Sequence, residues 1–405
     1  MNDTANDNDT NWEDQLQLTE KHKCKNSTYN VRLILTNHAD WLGKIRYDEF
    51  EEKTKYNGAN WEDHNTTDCK TWLSEFYVIE VSTSTIDSIV DAIARSNSYH
   101  PVREYLQSLT WDGRERLPNW LREICGADDS LYHSEIGRMW LVSAVARVMI
   151  PGCQADSALV LISQEQGVGK STAFHVLGKS WTADSSIDIG TKDAMQALSG
   201  VWIYELAELS SVRSARDVET VKSFITTRCD HYRSPYGHRY ADHPRQIAFG
   251  GTSNNTKCLH DNENRRFWPV EVSQIDIERL TNEVDQLWAE AYSRFTNGET
   301  WHPETEELKN LIREHGLDHT ETDPWHDPIA RLVEEYNMSD GITTEHILST
   351  TIRLEVKDQT RAHEMRVSNV MKLLGYTNKR TMIDGRRCHR WFGQGIACPT
   401  RPKST

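Results

Sequence analysis

The clearest chemistry in the sequence lies in the stretch "QGVGKST". Consecutive backbone N–H groups in a glycine-containing turn, followed by the start of a helix, form a binding site for phosphate groups. Here two glycines permit the turn, the lysine can reach the outer phosphates of a nucleotide, and the serine hydroxyl can bind Mg²⁺. We therefore predict a nucleotide-binding site made of Gln166, Gly167, Val168, Gly169, Lys170, Ser171 and Thr172.

One position departs from the usual pattern of this loop, G-x-x-x-x-G-K-[ST]. The place of its first glycine is taken by Gln164. That position lies where the preceding strand leaves the sheet, so another residue fits there if its φ is negative. The alternative interpretation is a chance occurrence of the G-x-G-K-S residues in an ordinary turn.

Two glutamates in the downstream stretch "GVWIYELAEL" could complete a hydrolytic site. Hydrolysis of a nucleotide needs an acid on a neighbouring strand to hold the Mg²⁺ shell and a group that activates water. Glu205 directly follows an apolar run and suits the metal-side acid, as a Mg²⁺ ligand together with Ser171. Glu208 could polarise the attacking water. The alternative is a pair of surface glutamates at the start of a helix.

Two further polar positions flank later apolar runs. Asn254 or Asn255, at the end of "RQIAFGGTSNN", could orient the attacking water, although asparagine is also common in turns. Arg265 and Arg266 precede the strand in "NRRFWPVEV", and a guanidinium there could neutralise the charge that develops on a transferred phosphoryl group, often in a neighbouring subunit. The alternative is a pair of surface arginines in ion pairs.

The elements that must position these residues follow from the hydrophobic pattern. Apolar β-type runs at 159–162, 201–204, 247–250 and 267–272 alternate with helical stretches, which predicts a parallel sheet with helices on its faces. Ser134 is predicted to cap an apolar helix that stops at Pro151. We divide the chain into a disordered tail (1–30), a mostly helical region (31–155), the sheet domain (156–300), a helical connector (301–335), a winged helix-turn-helix (336–395) and a tail (396–405).

Composition limits the class of protein. No run approaches the 18 apolar residues of a membrane span, and the polar, acidic N-terminus excludes a secretory signal, so we expect a cytoplasmic protein with free thiols and no membrane partner. The spacing of Cys229, His231, His238 and His243 fits no standard zinc site. The net charge is −15, but residues 353–405 carry 12 Lys/Arg and 4 Asp/Glu, which indicates local rather than general contact with DNA.

Taken together, these stretches resemble the virulence-associated protein E family of phages and mobile genetic elements. Through the ATPase core they are also similar to superfamily 3 helicases of the AAA+ group. The matching segments run in family order from His100 to Val272; they are "HPVREYLQSLTWDGRERL", "GRMWLVSAVARVMIPGC", "QGVGKST", "GVWIYELAEL", "VETVKSFITTRCDHYRSPYG", "PRQIAFGGTSN" and "NRRFWPVEV".

The resemblance implies an ATP- and Mg²⁺-dependent ATPase of helicase type on an α/β P-loop core, associated with replication of the element in a bacterial host. By position, Lys170 and Ser171 correspond to Walker A, Glu205 and Glu208 to Walker B, and Asn254 to the sensor. Arg266 corresponds to the arginine finger, with Arg265 second. It also implies a ring-shaped homo-oligomer, with a hexamer as the expected ring. Only about 150 residues precede the core, and they show no metal-binding carboxylate set, so we predict no primase activity.

Two regions are expected to contact DNA. In superfamily 3 proteins a hairpin before the sensor strand grips single-stranded DNA, and by similarity the candidates here are Arg233, Tyr236, His238 and Arg239. The alternative is a solvated surface hairpin. The basic C-terminal winged helix is the second region and a candidate for duplex DNA through Arg366, Arg386 and Arg387, although winged helices also bind proteins.

Two other functions remain open from the sequence. One is a nucleotide-dependent regulatory switch that binds DNA without unwinding it, for example in interference with another phage. The other is a small-molecule kinase, which would need an acceptor pocket and a lid that the sequence does not clearly show.

Overall fold

The computed structural model describes residues 11–184, 191–207, 215–233, 240–259, 265–320, 323–336, 341–383 and 386–393. The chain divides into two compact units. The first comprises residues 1–256 and 265–312, and the second comprises residues 257–264 and 313–405.

The first unit begins with a small sheet and three helices. In chain order the elements are a 3₁₀ helix (Trp12–Gln15), α1 (Thr28–Asn37), β1 (Ile45–Asp48), β2 (Lys53–Tyr56), β3 (Ala59–Asn60), α2 (Asp63–Tyr77), α3 (Thr83–Ser96) and β4 (Ser98–Tyr99). The strand order is β3-β2-β1-β4, in which β1 and β4 are parallel and the other pairs antiparallel.

Helix α3 illustrates how the sequence sets these elements. The hydroxyl of Ser82 accepts a hydrogen bond from the backbone N–H of Thr85 at 3.1 Å and so satisfies one donor of the first turn. Ile86, Val90 and Ile93 then follow at helical spacing and are buried in a core shared with α1.

Residues 11–30 correct the prediction of a disordered tail over 1–30. Trp12 packs against the core formed by α1 and α3. The buried Asn30 fixes the chain further, because its Oδ1 accepts a hydrogen bond from the N–H of Gln17 at 2.9 Å and its Nδ2 donates to the carbonyl of Gln17 at 2.8 Å. Polar composition predicted disorder, but a single buried amide and a few apolar contacts are enough to order the segment.

A connecting set of helices leads to the central sheet: α4 (Pro101–Ser108), α5 (Trp120–Glu123) and α6 (Leu131–Met149). Helix α6 ends just before Pro151, as expected, but its N-cap is Ser130 rather than Ser134. The hydroxyl of Ser130 accepts a hydrogen bond from the N–H of His133 at 3.2 Å. Both serines precede apolar residues, and the helix starts at the earlier one because Tyr132 is also buried.

The central sheet has the order β11-β5-β10-β7-β6, and every neighbouring pair is parallel. In chain order, this part of the molecule contains β5 (Ala158–Ile162), α7 (Lys170–Gly178), β6 (Thr182–Ala183), α8 (Lys192–Ala197), β7 (Ile203–Leu206), α9 (Ala215–Thr226), β8 (Cys229–Tyr232), β9 (Ala241–Pro244), β10 (Ala248–Ser253), β11 (Phe267–Glu271) and α10 (Ile277–Thr296). Strands β8 and β9 form a separate two-stranded sheet. Helices α6, α7 and α10 share one apolar core with the sheet. The predicted α/β architecture with a parallel sheet is confirmed.

Helix α11 (Glu306–Asp318) carries the chain into the second unit, which contains α12 (His326–Glu335), α13 (Thr344–Thr350), α14 (Arg361–Leu373), β12 (Thr377–Ile383) and β13 (Arg386–Phe392). Strands β12 and β13 form an antiparallel hairpin in which Ile383 pairs with Arg386. Asp384 and Gly385, between the two strands, lie outside the described residues. The winged-helix assignment stays a prediction.

In the part of the chain that the structure describes, no helix combines the length and the apolar character needed to cross a bilayer.

Candidate functional site

The loop between β5 and α7 has the backbone that its glycines predict. Gly167 and Gly169 have φ values of +78° and +97°, in the left-handed region that favours glycine. Gly169 is the N-cap of α7, and a Cβ there would approach the side chain of Ile277 to 3.1 Å. Gln164 is not among the residues with positive φ. Its replacement of the usual glycine therefore causes no backbone strain.

The loop is fixed on its inner side and open on its outer side. Val168 is buried, and its carbonyl accepts a hydrogen bond from the N–H of Ile275 at 3.0 Å. Gln166, Ser171 and Thr172 are exposed. The N-terminal end of α7 is thus held in place while its polar side chains remain accessible to a ligand.

Lys170 is the central cation of the site. Its side chain is largely buried, and its ammonium group donates to the carbonyls of Ser163 at 3.2 Å and Glu165 at 3.3 Å and to Oδ1 of Asn254 at 2.8 Å. Burial lowers the pKa of Lys170, while the nearby charge of Glu205 acts in the opposite direction. The present partners of the ammonium group are neutral oxygens. Charged phosphate oxygens would form stronger hydrogen bonds with it.

Glu205 lies near the end of β7 and is 1% exposed. Its Oε1 accepts hydrogen bonds from the hydroxyls of Ser171 and Thr252, both at 2.7 Å. Its Oε2 is buried and accepts no hydrogen bond from any described residue. A buried carboxylate oxygen without a donor is costly, and a cation would satisfy it. Carboxylate and hydroxyl oxygens are the donors that Mg²⁺ prefers, so these residues fit a magnesium ion.

The sheet explains why these side chains meet. Strands β5, β7 and β10 are adjacent and parallel, with Glu205 level with Gly250 and Ile162 level with Ser253. The carboxyl ends of parallel strands lie at one edge of a sheet, which is where α/β folds bind ligands. The loop after β5, the end of β7 and Asn254 beyond β10 therefore converge at that edge.

Arg265 and Arg266 lie at the other edge. The carbonyl of Arg266 accepts a hydrogen bond from the N–H of Ala158, the first residue of β5, at 2.7 Å. The loop follows Ile162, the last residue of β5, and four steps along a strand span about 13 Å. The structure does not bring these arginines to the site of their own chain. Glu208 lies outside the described residues.

Thr252 is a member of the site that the sequence analysis did not identify. It stands in "GGTS", at the end of an apolar run, and is 7% exposed. A polar residue buried in a strand next to β7 was the available signal. Without the strand order, however, its partner could not be named.

The predicted DNA hairpin is described only at its base. Arg233 is exposed, whereas Tyr236, His238 and Arg239 lie outside the described residues. Strands β8 and β9 are held by a buried ion pair in which Nε of Arg245 lies 2.5 Å from Oδ2 of Asp230. Each partner in this pair is at most 5% exposed. This buried ion pair therefore fixes the base of the hairpin.

The C-terminal arginines differ in their surroundings. Arg366, on α14, places Nε 2.8 Å from Oδ2 of Asp323, and its guanidinium stacks 4.2 Å from the ring centre of Trp325. Arg386 and Arg387 begin β13 and pair with Ile383 and Met382. Their side chains are outside what the structure describes.

Comparison with known proteins gives one family and one fold. Residues 106–321 match the Virulence-associated protein E-like domain. No curated protein matches the chain. The apo structure of the NrS-1 C terminal region is similar at 14% identity and a TM-score of 0.50, covering 86% of this chain and 95% of that one, and this likeness shows the fold alone. The A form apo structure of the same region covers 92% of this chain and 100% of that one, at 13% identity and a TM-score of 0.48.

Proposed function

The chain belongs to the Virulence-associated protein E-like family, and from this premise we propose that it is an ATP- and Mg²⁺-dependent P-loop ATPase that acts on DNA in the replication of a phage or mobile element. We assign its core to the AAA+ type of superfamily 3 helicases. The arrangement around Glu205 carries the proposal: one carboxylate oxygen accepts from Ser171 and Thr252, and the other is buried without a donor.

The residues of the loop would bind the phosphates of ATP. The N–H groups between Gly167 and Ser171 lie at the start of a helix, where the helix dipole favours an anion. Lys170 would exchange its contacts with backbone carbonyls for contacts with the outer phosphate oxygens. Bound Mg²⁺, held by Ser171 and Glu205, would neutralise charge on those oxygens.

Two polar groups would act on the attacking water. Asn254 already contacts Lys170 at 2.8 Å, so its amide lies beside the expected position of the terminal phosphate and could hold a water molecule there. Glu208 would accept the proton of that water. Its position three residues after Glu205 in the sequence is the support for this role.

Hydrolysis would need a second subunit. Arg266 lies at the amino edge of the sheet, beside Ala158 rather than beside the loop. This place is far from the loop of its own chain, so the proposed guanidinium would act on the site of a neighbouring chain. We therefore propose a ring, with a hexamer as the expected form, in which each Arg266 reaches the ATP of the next subunit.

DNA would be contacted at two places. The loop between β8 and β9 would meet single-stranded DNA, supported by the fixed base at Arg245 and Asp230. Residues 353–405, which include most of the proposed winged helix, carry 12 Lys/Arg and 4 Asp/Glu, in contrast to the net charge of −15 of the chain. Cations near phosphates supply most of the affinity in such contacts, so binding should weaken as salt increases.

The steady-state ATPase rate of the purified full chain, with and without single-stranded DNA, tests the proposal. We expect hydrolysis that DNA stimulates several-fold, and a Glu208→Gln variant that binds ATP but does not turn over. Hydrolysis that is indifferent to DNA would favour a nucleotide-dependent switch that binds DNA without unwinding it. An absence of ATP binding would overturn both functions.

A further inference from the structure

Three side chains lie close to one another beside the loop. The proposed ATPase mechanism does not use them as a group. Each of His175, Asp184 and Glu205 offers one ligand atom, and these atoms all lie within 4.8 Å of one another. Nε2 of His175 is 3.3 Å from Oδ2 of Asp184. Among the described residues, this is the one group of three or more such side chains compact enough to hold a metal ion.

The fold brings the three residues together from separate elements. His175 follows Ser171 by one turn of α7, so both lie on the same face of that helix. Asp184 directly follows β6, whose last residue, Ala183, is level with Tyr204 of β7. Continuing the same register by one residue places Asp184 beside Glu205. The cluster is therefore a consequence of strand pairing as well as of side-chain rotamers.

The free oxygen of Glu205, which also supports the proposed Mg²⁺ site, is a second observation. The carboxylate is 1% exposed, and Oε2 receives no hydrogen bond from any described residue. By contrast, the side chains of His175 and Asp184 are 45% and 57% exposed. The site thus has one buried, unsatisfied anchor and two accessible ligands, which allows an ion to enter from solvent.

The geometry is close to that of a coordinated ion. Ligand atoms about 2.1 Å from one metal ion lie at most about 4.2 Å apart. The observed separations, all within 4.8 Å, are close to that limit, and the two side chains that would adjust are exposed. Three protein ligands leave further positions for water or for a phosphate oxygen, as in sites that bind a substrate.

We propose that His175, Asp184 and Glu205 form a binding site for a divalent cation other than the Mg²⁺ that accompanies ATP, that Glu205 is a ligand shared by the two ions, and that this site takes Mn²⁺, Co²⁺ or Zn²⁺ in preference to Mg²⁺. The imidazole nitrogen decides the class of ion, because imidazole is a good ligand for these metals and a poor one for Mg²⁺ or Ca²⁺. None of the three ligands comes from the nucleotide. The site therefore fills in the absence of ATP.

Titration of the nucleotide-free full chain with Mn²⁺, followed by the loss of the free-ion EPR signal, tests this site. We expect one Mn²⁺ bound per chain, a tenfold excess of Mg²⁺ that does not displace it, and binding weakened about tenfold or more in His175→Ala and in Asp184→Asn. His231→Ala is the matched control, because His231 is also exposed and also pairs with an aspartate, Asp242, at 2.7 Å. Its Mn²⁺ affinity should equal that of the wild type.

Wild-type protein that binds Mn²⁺ only when ATP is present would overturn the inference. So would a His175→Ala variant with unchanged affinity and an unchanged thermal midpoint. A Lys170→Ala variant separates this site from the proposed function, because it should lose ATP while it keeps Mn²⁺. If neither the wild type nor any variant binds ATP, but the wild type binds Mn²⁺ and His175→Ala weakens that binding, the ATPase proposal fails and the metal site stands.

Discussion

The ammonium group of Lys170, at the start of α7, donates a hydrogen bond to Oδ1 of Asn254, just beyond β10, over 2.8 Å. This contact joins the phosphate-binding loop to the end of the neighbouring strand. For this reason we expect Asn254, rather than Asn255, to be the functional asparagine at that strand end. The backbone N–H of Asn255 donates to the hydroxyl of Ser253 at 3.0 Å, a local turn contact.

Asn254→Ala should lower kcat for ATP by about a hundredfold, the usual effect of losing one positioned polar group near a transferring phosphate. ATP affinity should change by less than about tenfold, because Lys170 keeps its charge. Steady-state hydrolysis and a fluorescent-nucleotide titration measure the two quantities. Asn255→Ala is the matched control and should stay close to the wild type. Equal losses in both variants would contradict the distinction.

Glu205→Gln should abolish most Mg²⁺-dependent hydrolysis while the protein remains folded. The glutamine oxygen can still accept from Ser171 and Thr252, but the negative charge that holds a divalent cation is gone. We expect a loss of about a hundredfold or more in turnover, and ATP binding that no longer responds to added Mg²⁺. Calorimetric titration with and without EDTA measures the second effect.

Glu219→Gln serves as the control for Glu205→Gln. The side chain of Glu219 is 72% exposed and lies 3.8 Å from Lys222, on α9. Its substitution should leave both hydrolysis and the Mg²⁺ response unchanged. A Glu205→Gln variant that keeps the wild-type Mg²⁺ response would show that Glu205 is not a ligand of the ion.

Arg266→Ala should reduce hydrolysis by about a thousandfold or more while ATP binding persists, since the lost group would act only on the transition state of a neighbouring chain. Lys170→Ala should be equally inactive for a different reason. Mixing the two variants should restore activity, because some junctions then pair an intact loop with an intact arginine. Mixtures that remain inactive, although the subunits exchange, would exclude an arginine acting between chains. Arg265→Ala tests the second candidate in the same assay.

Much of the central domain follows from the sequence. The apolar runs predicted β5, β7, β10 and β11 to within a few residues, because strands buried on both faces carry almost no polar side chains. The glycines of the loop were expected to permit its turn, and Gly167 and Gly169 have positive φ. Even the position of Arg266 was available in principle, since a residue just before a parallel strand lies at the edge opposite the loop.

The sequence could not predict which distant segments of the chain are in contact. Thr252 and Glu205 meet only because β10 lies beside β7, and strand order is not visible in a hydrophobic pattern. Asp184 reaches the site through a strand of two residues, too short to give any periodic signal. The ordering of residues 11–30 depends on a few apolar contacts and on one buried amide, Asn30, which composition does not distinguish from the exposed asparagines around it.

The stability of the first unit should fall as the pH drops below about 6.5, the ordinary pKa of histidine. His100 is 5% exposed. Its Nδ1 accepts from the N–H of Arg103 at 3.3 Å, so Nε2 carries the proton and donates to Gln246 at 2.8 Å. Burial lowers the pKa of His100, with smaller opposing effects from Gln246 and the nearby acids. The folded chain therefore binds fewer protons than the unfolded chain between the lowered pKa and 6.5, and the free energy of unfolding decreases by up to about 1.4 kcal/mol per pH unit in that range.

Urea unfolding at pH 7.5 and 5.5, followed by tryptophan fluorescence, measures this effect. His100 is the N-cap of α4. His100→Gln keeps a polar group there but has no titrating ring, so its unfolding free energies at the two pH values should differ less than those of the wild type. Acidic groups titrate in both proteins, and the difference between them isolates His100. His64→Gln is the control, because that side chain is 64% exposed. The same pH response in wild type and His100→Gln would contradict this prediction. It would mean that the folded chain accommodates a protonated His100 without cost, although protonation of Nδ1 breaks its hydrogen bond with the N–H of Arg103.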